Sequence, residues 1–200
     1  MSTGAAGSDP WQSLADCRRL IVIGTSGAGK TTLARELASL LGSPFVELDA
    51  LHWDPNWTPA PPETFRARVA AATAGERWVV DGGYSAVRDL LWPRADTLIW
   101  LDYPIRVNLW RLLRRTCRRI ATRAELWNSN RESFRLDFLS RDSLFVWVLK
   151  THRRRRREYA RLLARPEYAA LTVVRLRSPR ATERWLETAV GQWASEPVGQ

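Results

Sequence analysis

A glycine-rich stretch at residues 24–31 constrains this chain more than any other feature. It reads Gly-Thr-Ser-Gly-Ala-Gly-Lys-Thr and matches the pattern G-x-x-x-x-G-K-[ST] at every fixed position. An apolar run at 20–23 precedes it, and a segment with helical apolar spacing follows at 32–41. Glycines let successive backbone N–H groups point inward, and the helix adds the positive end of its dipole. The stretch, here called the phosphate loop, therefore predicts a cradle for phosphate groups.

Two side chains of the phosphate loop have specific expected roles. Lys30 would reach the β and γ phosphates of a nucleotide, and the Thr31 hydroxyl would ligate Mg²⁺. Lysine occurs only at Lys30 and Lys150, and the other basic side chains that stay charged are arginines. The lysine in the phosphate loop therefore indicates that a compact, flexible ammonium is needed at position 30. The alternative is a glycine-rich turn that binds no ligand. The predicted nucleotide-binding residues of the loop are Gly24, Thr25, Ser26, Gly27, Ala28, Gly29, Lys30, Thr31 and Thr32.

Composition limits the class of protein. Two hundred residues with 45% apolar content suit one domain. The longest apolar run, at 144–149, is far shorter than the ~20 residues of a membrane span, and residues 1–10 lack the pattern of a secretory signal. We therefore expect a cytoplasmic protein that makes no membrane contact. The two cysteines, Cys17 and Cys117, are too few for a disulfide framework or a zinc site.

The net charge of +10 leaves two interpretations open. It predicts either a surface for nucleic acid or another polyanion, or a general preference for arginine on solvated faces. The arginine run at 153–157 is typical of a solvated helix face, and a nucleic-acid patch is its alternative.

Short apolar segments alternate with helical segments along the chain. Segments that are apolar throughout are buried on both faces in a parallel sheet. We therefore predict a three-layer α/β fold with a five-stranded parallel sheet flanked by helices. The predicted strands are 20–23, 45–48, 78–80, 97–101 and 171–176, and the predicted helices are 32–41, 63–73, 86–91, 105–120, 143–163 and 181–190. Residues 18–192 form the predicted single domain, between tails at 1–17 and 193–200.

Three of the predicted strands end near an aspartate, namely Asp49, Asp81 and Asp102. Ligands of such sheets sit beyond the carboxyl ends of the strands, so these aspartates would share an edge with the phosphate loop. Asp81 is followed by glycines and is expected to be functional. Asp49 would contact substrate or metal, with a turn cap as the alternative. Asp102 is expected to order the turn into the next helix.

Together these features resemble the P-loop group of nucleoside monophosphate kinases and shikimate kinases over about residues 20–190. Within that group the chain looks most like the bacterial, adenylate kinase-like topology modulation proteins. The likeness rests on segments 48–49, 78–82, 101–104 and 127–132 and on the loop with Trp53 and Trp57. It implies a P-loop NTPase fold and an ATP-dependent kinase that transfers the γ-phosphoryl group of Mg-ATP to a small acceptor, with a nucleoside monophosphate as one candidate. The alternative is an ATP-binding, DNA-associated regulator without metabolite kinase activity.

The resemblance also implies roles for particular residues on the nucleotide side. Asp81 would hold the Mg²⁺ shell through water. Arg111 would lie over the adenine and Arg115 against the transferring phosphate, on one stripe with Arg118. These arginines would lead into a helical, arginine-rich lid at about 116–142. The catalytic set would be Lys30, Asp81, Arg111 and Arg115, and Ser178 and Arg180 would line the adenine pocket.

The acceptor side departs from the adenylate kinase pattern. Those enzymes have Phe-Pro-Arg after the Asp-Gly pair, whereas residues 83–85 here are Gly-Tyr-Ser and the next arginine is Arg88. The substrate-binding residues implied by position are Asp49, Trp53, Gly82, Gly83, Tyr84, Arg88 and, on the return from the lid, Arg141. The lid has no zinc-binding cysteines, so no structural metal is expected.

The remaining aromatic residues have simpler expected roles. We expect His52 to be an exposed loop histidine, and Trp78 and Trp100 to lie in the core. Trp53 and Trp57 would form either an aromatic wall beside the acceptor or packing beneath a proline-rich loop.

Overall fold

The computed structural model describes residues 17–122 and 144–195. The elements are β1 (Arg19–Gly24), α1 (Lys30–Leu40), β2 (Phe45–Glu47), α2 (Leu48–His52), β3 (Trp53–Asp54), β4 (Thr58–Pro59), α3 (Pro62–Ala72), β5 (Trp78–Asp81), α4 (Arg88–Leu91), β6 (Thr97–Leu101), α5 (Ile105–Ala121), α6 (Leu144–Leu163), β7 (Thr172–Leu176) and α7 (Pro179–Ser195). Most of the predicted lid, including Arg141, lies outside the described residues.

The main sheet has five parallel strands in the order β2-β5-β1-β6-β7. Strand β1 is central, and its residues alternate between two buried clusters. Leu20 and Val22 pack on one face with residues of α1 and α7, whereas Ile21 and Ile23 pack on the other with residues of α3 and α6. Helices therefore cover both faces of the sheet, and the predicted three-layer α/β fold is confirmed.

The parallel register brings the chemically important strand ends to one edge. Val22 lies opposite Asp81 in β5, and Gly24 lies opposite Leu101 in β6. The phosphate loop, Asp81 and Asp102 therefore leave the sheet at the same edge. Trp78 and Trp100, which are 0% and 3% exposed, lie in the core as predicted.

The edge next to β2 differs from the prediction. Strand β2 ends at Glu47, and Asp49 lies in the one-turn helix α2 instead of at the strand end. The loop that follows contains a small antiparallel hairpin in which Trp53 pairs with Pro59. The hairpin turns at Asn56 and Trp57, whose φ angles are 60° and 55°.

Both ends of the described chain extend ordered structure slightly beyond the predicted elements. Cys17, expected in the N-terminal tail, is buried and its Sγ lies 3.2 Å from Oγ1 of Thr97. At the other end, α7 continues to Ser195, past the predicted helix end at 190.

Across the described ranges, no helix combines the length and the apolar character that a bilayer crossing requires.

Candidate functional site

The phosphate loop has the backbone shape that its glycines predict. Gly27 and Gly29 adopt φ angles of 85° and 95°, which glycine tolerates far better than other residues. A Cβ at Gly27 would collide with the carbonyl oxygen of Asn108 in α5, so the loop is also packed too closely for a side chain there. Helix α1 begins at Lys30, and no side chain caps its first turn. Its N-terminal N–H groups therefore suit an anion.

Asp81 and the end of the phosphate loop form a polar pair suited to a cation. The Thr31 hydroxyl donates a hydrogen bond of 2.5 Å to Oδ2 of Asp81. Asp81 is 4% exposed, and its Oδ1 is buried without a hydrogen-bond partner. Burial raises the pKa of Asp81, and the nearby Lys30 charge offsets part of that rise. An orphaned carboxylate oxygen beside a threonine hydroxyl fits Mg²⁺ and its bound water, because that ion prefers oxygen ligands.

A cleft of about 670 Å³ opens beside the phosphate loop, between α5 and α7. Three arginines at four-residue spacing line it, namely Arg111, Arg115 and Arg119. Arg111 also donates a hydrogen bond of 3.2 Å to the carbonyl oxygen of Ala28, and its guanidinium lies over the Tyr103 ring at 5.8 Å. The structure thus places Arg111 against the loop and Arg115 in the same cleft, and their roles toward a nucleotide stay predictions.

Arg118, the third member of the predicted arginine stripe, is exposed and does not line the cleft, whereas Arg119 does. Leu112 is fully buried and marks the packed side of α5. At 3.6 residues per turn, Arg119 lies about 20° from Leu112 around the helix axis, whereas Arg111 and Arg118 lie about 100° and 120° away.

Ser178 and Arg180, implied by the resemblance to line the adenine pocket, lie beside the cleft and do not line it. Ser178 accepts a hydrogen bond of 3.1 Å from the Ala181 N–H and thereby caps the start of α7. Arg180 is exposed. The cleft wall on this side includes Pro179 and Thr182, and neither Ser178 nor Arg180 lines it.

The acceptor side is organised around Asp49. The Tyr84 hydroxyl donates a hydrogen bond of 2.5 Å to Oδ1 of Asp49. Burial and the Asp49 charge raise the pKa of Tyr84, so its hydroxyl stays protonated and remains a donor. The Asp49 charge also contributes to the raised pKa of Asp81.

An aromatic cluster adjoins Asp49, because one of its members is Tyr84, the residue that hydrogen-bonds Asp49. The His52 ring lies 4.8 Å from Trp53, 5.0 Å from Phe65 and 4.7 Å from Tyr84. His52 was predicted to be an exposed loop residue, but it ends α2, is partly buried and has a buried Nδ1 without a hydrogen-bond partner. Burial lowers its pKa.

Trp53 also contacts Trp57 edge-on at 5.8 Å. The two tryptophans therefore pack with each other in the β3–β4 hairpin. Trp53 also contacts His52 and so connects the hairpin to the aromatic cluster.

The two glycines after β5 are needed for close packing. Gly82 has a φ of 131°, and a Cβ there would lie 3.0 Å from Cβ of Leu48. A Cβ on Gly83 would collide with the Tyr159 hydroxyl of α6. Both glycines therefore let α2 and α6 approach the end of β5.

Arg88 does not join Asp49. It forms a 2.9 Å ion pair with Glu158 of α6, and its guanidinium lies 5.2 Å from the centre of the Trp92 ring. Its side chain is thus engaged by the helix that covers this face of the sheet.

Several residues at the strand edge were not anticipated from the sequence. Asp102 accepts hydrogen bonds from Arg175, at 2.6 Å, and from Arg156, at 2.9 Å. It is therefore held by two guanidinium groups instead of ordering a turn by itself. His152 of α6 lies with its Nδ1 3.1 Å from Oγ1 of Thr25 in the phosphate loop. These partners are 54 to 127 residues apart, so no local pattern marks them.

The fold and the site together define an α/β protein of kinase-like architecture with a P-loop. A family described as "ATPase family associated with various cellular activities (AAA)" matches residues 20–80, which include the phosphate loop and Asp81.

Two characterised relatives are similar to a longer part of the chain. The shikimate kinase of Halorhodospira halophila is 37% identical over 109 residues, covering 46% of this chain and 61% of that protein. The shikimate kinase of Symbiobacterium thermophilum is 38% identical over 99 residues, covering 42% and 56%. The chain thus spans about three fifths of the length of these relatives.

Among solved structures, a gluconokinase from Sinorhizobium meliloti 1021 is similar over 92% of this chain and 94% of its own, with a TM-score of 0.51 and 18% identity. This likeness supports the fold. The finer resemblance to topology modulation proteins stays a prediction.

Proposed function

We propose that this protein is an ATP-dependent phosphotransferase that acts on a small acceptor carrying a hydroxyl group. The observation that carries the proposal is the arrangement at one sheet edge. Lys30, Thr31 and Asp81 lie together where a phosphate and a cation would bind, and Tyr84, three residues after Asp81, hydrogen-bonds the Asp49 carboxylate. The similarity to two shikimate kinases over somewhat less than half of the chain supports the same class of reaction.

The nucleotide-side residues would act by position and charge. Phosphoryl transfer spreads negative charge over the oxygens of the moving group, so catalysis depends mainly on orientation and electrostatic stabilisation. Lys30 and the cleft arginines Arg111, Arg115 and Arg119 would supply positive charge around the triphosphate. Bound Mg²⁺, held by Thr31 and through water by Asp81, would neutralise phosphate oxygens.

The acceptor-side residues favour a hydroxyl over a nucleoside monophosphate. Tyr84 occupies one oxygen of Asp49 and holds the carboxylate, which leaves the other oxygen to accept a hydrogen bond from an acceptor hydroxyl. A monophosphate would call for an arginine after Gly83, and the first arginine there, Arg88, is engaged by Glu158. The names shikimate kinase and gluconokinase suggest hydroxy acids as the first acceptors to test.

The experiment is an acceptor panel. Purified protein with ATP and Mg²⁺ is mixed with hydroxy acids, polyols, nucleosides and nucleoside monophosphates, and ADP formation above the acceptor-free rate is followed. We expect a hydroxy acid or polyol to raise that rate and Asp49→Asn to abolish the increase. Stimulation by monophosphates alone would contradict the hydroxyl assignment, and no stimulation by any compound would favour the regulator described next.

A second candidate function is nucleic-acid binding, and the charge of α5 and α6 favours it. Helix α5 contains six arginines and no acidic residue, and Trp110 on it is 60% exposed. Apart from the cleft residue Arg111, helices α5 and α6 carry seven exposed arginines that form no ion pair with any described residue: Arg106, Arg114, Arg118, Arg153, Arg154, Arg157 and Arg161.

Phosphate contacts by these arginines would make binding strongly dependent on salt. The check is fluorescence anisotropy with a labelled oligonucleotide at increasing salt. Replacing Arg153, Arg154 and Arg157 with glutamine should weaken a specific interaction much more than replacing Arg177, Arg180 and Arg184. Equal loss from both sets would indicate nonspecific polycation behaviour.

A further inference from the structure

Helix α6 contacts three strand ends through residues on one face. His152, Arg156 and Tyr159 follow one another at spacings of four and three, which places them on the same side of a helix. His152 contacts Thr25 after β1, Arg156 contacts Asp102 after β6, and the Tyr159 hydroxyl donates to the carbonyl oxygen of Gly83 after β5. Helix α6 thus lies against the edge that carries the proposed active site.

The contact at Thr25 reaches the phosphate loop itself. Thr25 and His152 are 9% and 7% exposed, and their side chains meet at 3.1 Å. The carbonyl oxygen of Thr25 accepts hydrogen bonds from the Ala28 N–H, at 3.1 Å, and from the Lys30 ammonium, at 3.5 Å. Thr25 therefore joins the imidazole of α6 to the turn of the loop and to its lysine.

We propose that His152 is a positioning residue for the phosphate loop. By holding the Thr25 side chain, it keeps the loop and Lys30 in the geometry that receives phosphate. A loop ordered before binding loses less conformational entropy when the ligand arrives, and its affinity is higher for that reason. This inference rests on the proposed function, because it concerns the nucleotide site of that same enzyme.

The surroundings of His152 keep the contact between neutral groups. Burial lowers the pKa of His152, and the cationic Arg153 and Arg156 of its own helix act in the same direction. Asp102, at the end of β6, acts in the opposite direction. A neutral imidazole can share one hydrogen bond with a threonine hydroxyl in either direction, depending on its tautomer.

The test measures binding of Mg-ADP by titration calorimetry with the full chain. His152→Leu removes the hydrogen bond, whereas His152→Asn is similar in size to leucine and keeps a polar atom near the position of Nδ1. We expect His152→Leu to raise the Kd about fivefold, the factor for one hydrogen bond of ~1 kcal/mol. The Kd of His152→Asn should stay within about twofold of the wild-type value. If His152 only filled space, the leucine and asparagine variants would bind Mg-ADP equally well.

Two further variants separate this role from general stability. Thr25→Val should weaken Mg-ADP binding like His152→Leu, and the double variant should be no weaker than either single variant, because one shared contact is lost. Arg156→Gln breaks the neighbouring contact with Asp102 and should lower the thermal midpoint while leaving the Kd near the wild-type value.

The possible outcomes distinguish a failure of the His152 role from a failure of the proposed function. If the wild-type protein binds no Mg-ADP, the proposed function and the role of His152 are both wrong. If the wild type binds and Lys30→Ala does not, but His152→Leu equals the wild type, only the role of His152 is wrong. An equal loss of affinity in Arg156→Gln would likewise assign the effect to the docking of α6 as a whole.

Discussion

The nucleotide side and the acceptor side of the sheet edge are built in different ways. Most of the phosphate site comes from eight consecutive residues, at 24–31, whose backbone makes the cradle. The acceptor side is assembled from α2, the β3–β4 hairpin and the segment after β5, and aromatic contacts hold it together. A site made by local backbone geometry tolerates few sequences, whereas a site made by side-chain packing can change with each contact. The first side therefore predicts a reaction class, and under the proposed function the second would determine the acceptor.

The strongest test of the nucleotide side is Lys30→Ala. Removing the ammonium that contacts the phosphates should lower kcat/KM on the order of 10⁴-fold, within the range found for cations at the transferring phosphoryl group. ADP formation with the best acceptor of the panel is the measurement. Lys150→Ala is the matched control, since Lys150 is the other lysine of the chain and is exposed on α6. Normal turnover in Lys30→Ala would remove the basis for a kinase.

The cleft arginines should give the next largest effect. Arg115→Ala is expected to lower kcat on the order of 10³-fold, because it removes positive charge that is aimed at the phosphates. Arg118→Ala changes the same residue type on the same helix, but at an exposed position, and should leave kcat unchanged. Steady-state kinetics at saturating ATP compare the two variants. Similar values for both would show that α5 acts only through its overall charge.

Asp49→Asn should affect only the acceptor side. Loss of the carboxylate that accepts the hydroxyl proton is expected to lower phosphoryl transfer on the order of 10²-fold. The slow hydrolysis of ATP without acceptor should not change, because Lys30, Thr31 and Asp81 are intact. Measuring both rates in one preparation separates the two sides, and a parallel fall in both would show that they work as one unit.

The smallest expected effect is a pH dependence of stability from the aromatic cluster. Burial lowers the pKa of His52 below its usual 6.5 in the folded state, so the unfolded chain takes up a proton first as the pH falls. The contribution of His52 to stability should be fully present above pH 6.5 and decrease below it. The slope of that decrease corresponds to the uptake of at most one proton by this histidine. His152 is shifted in the same direction and adds to the trend.

His52→Phe should make the thermal midpoint less dependent on pH between about 7.5 and 5.5. Phenylalanine suits the cluster with Phe65 and Tyr84, and the remaining slope would belong to His152 and other groups. An unchanged slope would show that His52 is not protonated on unfolding in this range.

The sequence was sufficient to predict what local geometry controls. The phosphate loop, the five strands and the position of Asp81 at the same sheet edge as that loop follow from glycine positions, apolar runs and the rule that parallel strands end together. The predicted helix boundaries agree with the observed ones to within about five residues. Helix caps and apolar spacing act over one or two turns, so they too are local signals.

Contacts between distant segments could not be predicted in the same way. Asp102 looked like a turn residue because Arg156 and Arg175 are far along the chain. His52 looked exposed because Phe65 and Tyr84, which enclose it, belong to other elements. Spacing along α5 did not single out Arg119, because the position of the cleft depends on how α5 packs against the phosphate loop.

The buried carboxylate of Asp102 also has a consequence for the order in which the protein can mature during synthesis. Its two partners, Arg156 and Arg175, are translated 54 and 73 residues after it. A buried carboxylate without a partner is costly, so the end of β6 should stay hydrated while those residues are still inside the ribosome. Strands β1, β5 and β6 can associate earlier, but the nucleotide edge closes only when almost the whole chain has emerged. A nascent chain that stops before Arg175 would therefore be unable to complete the site, even though its phosphate loop was made first.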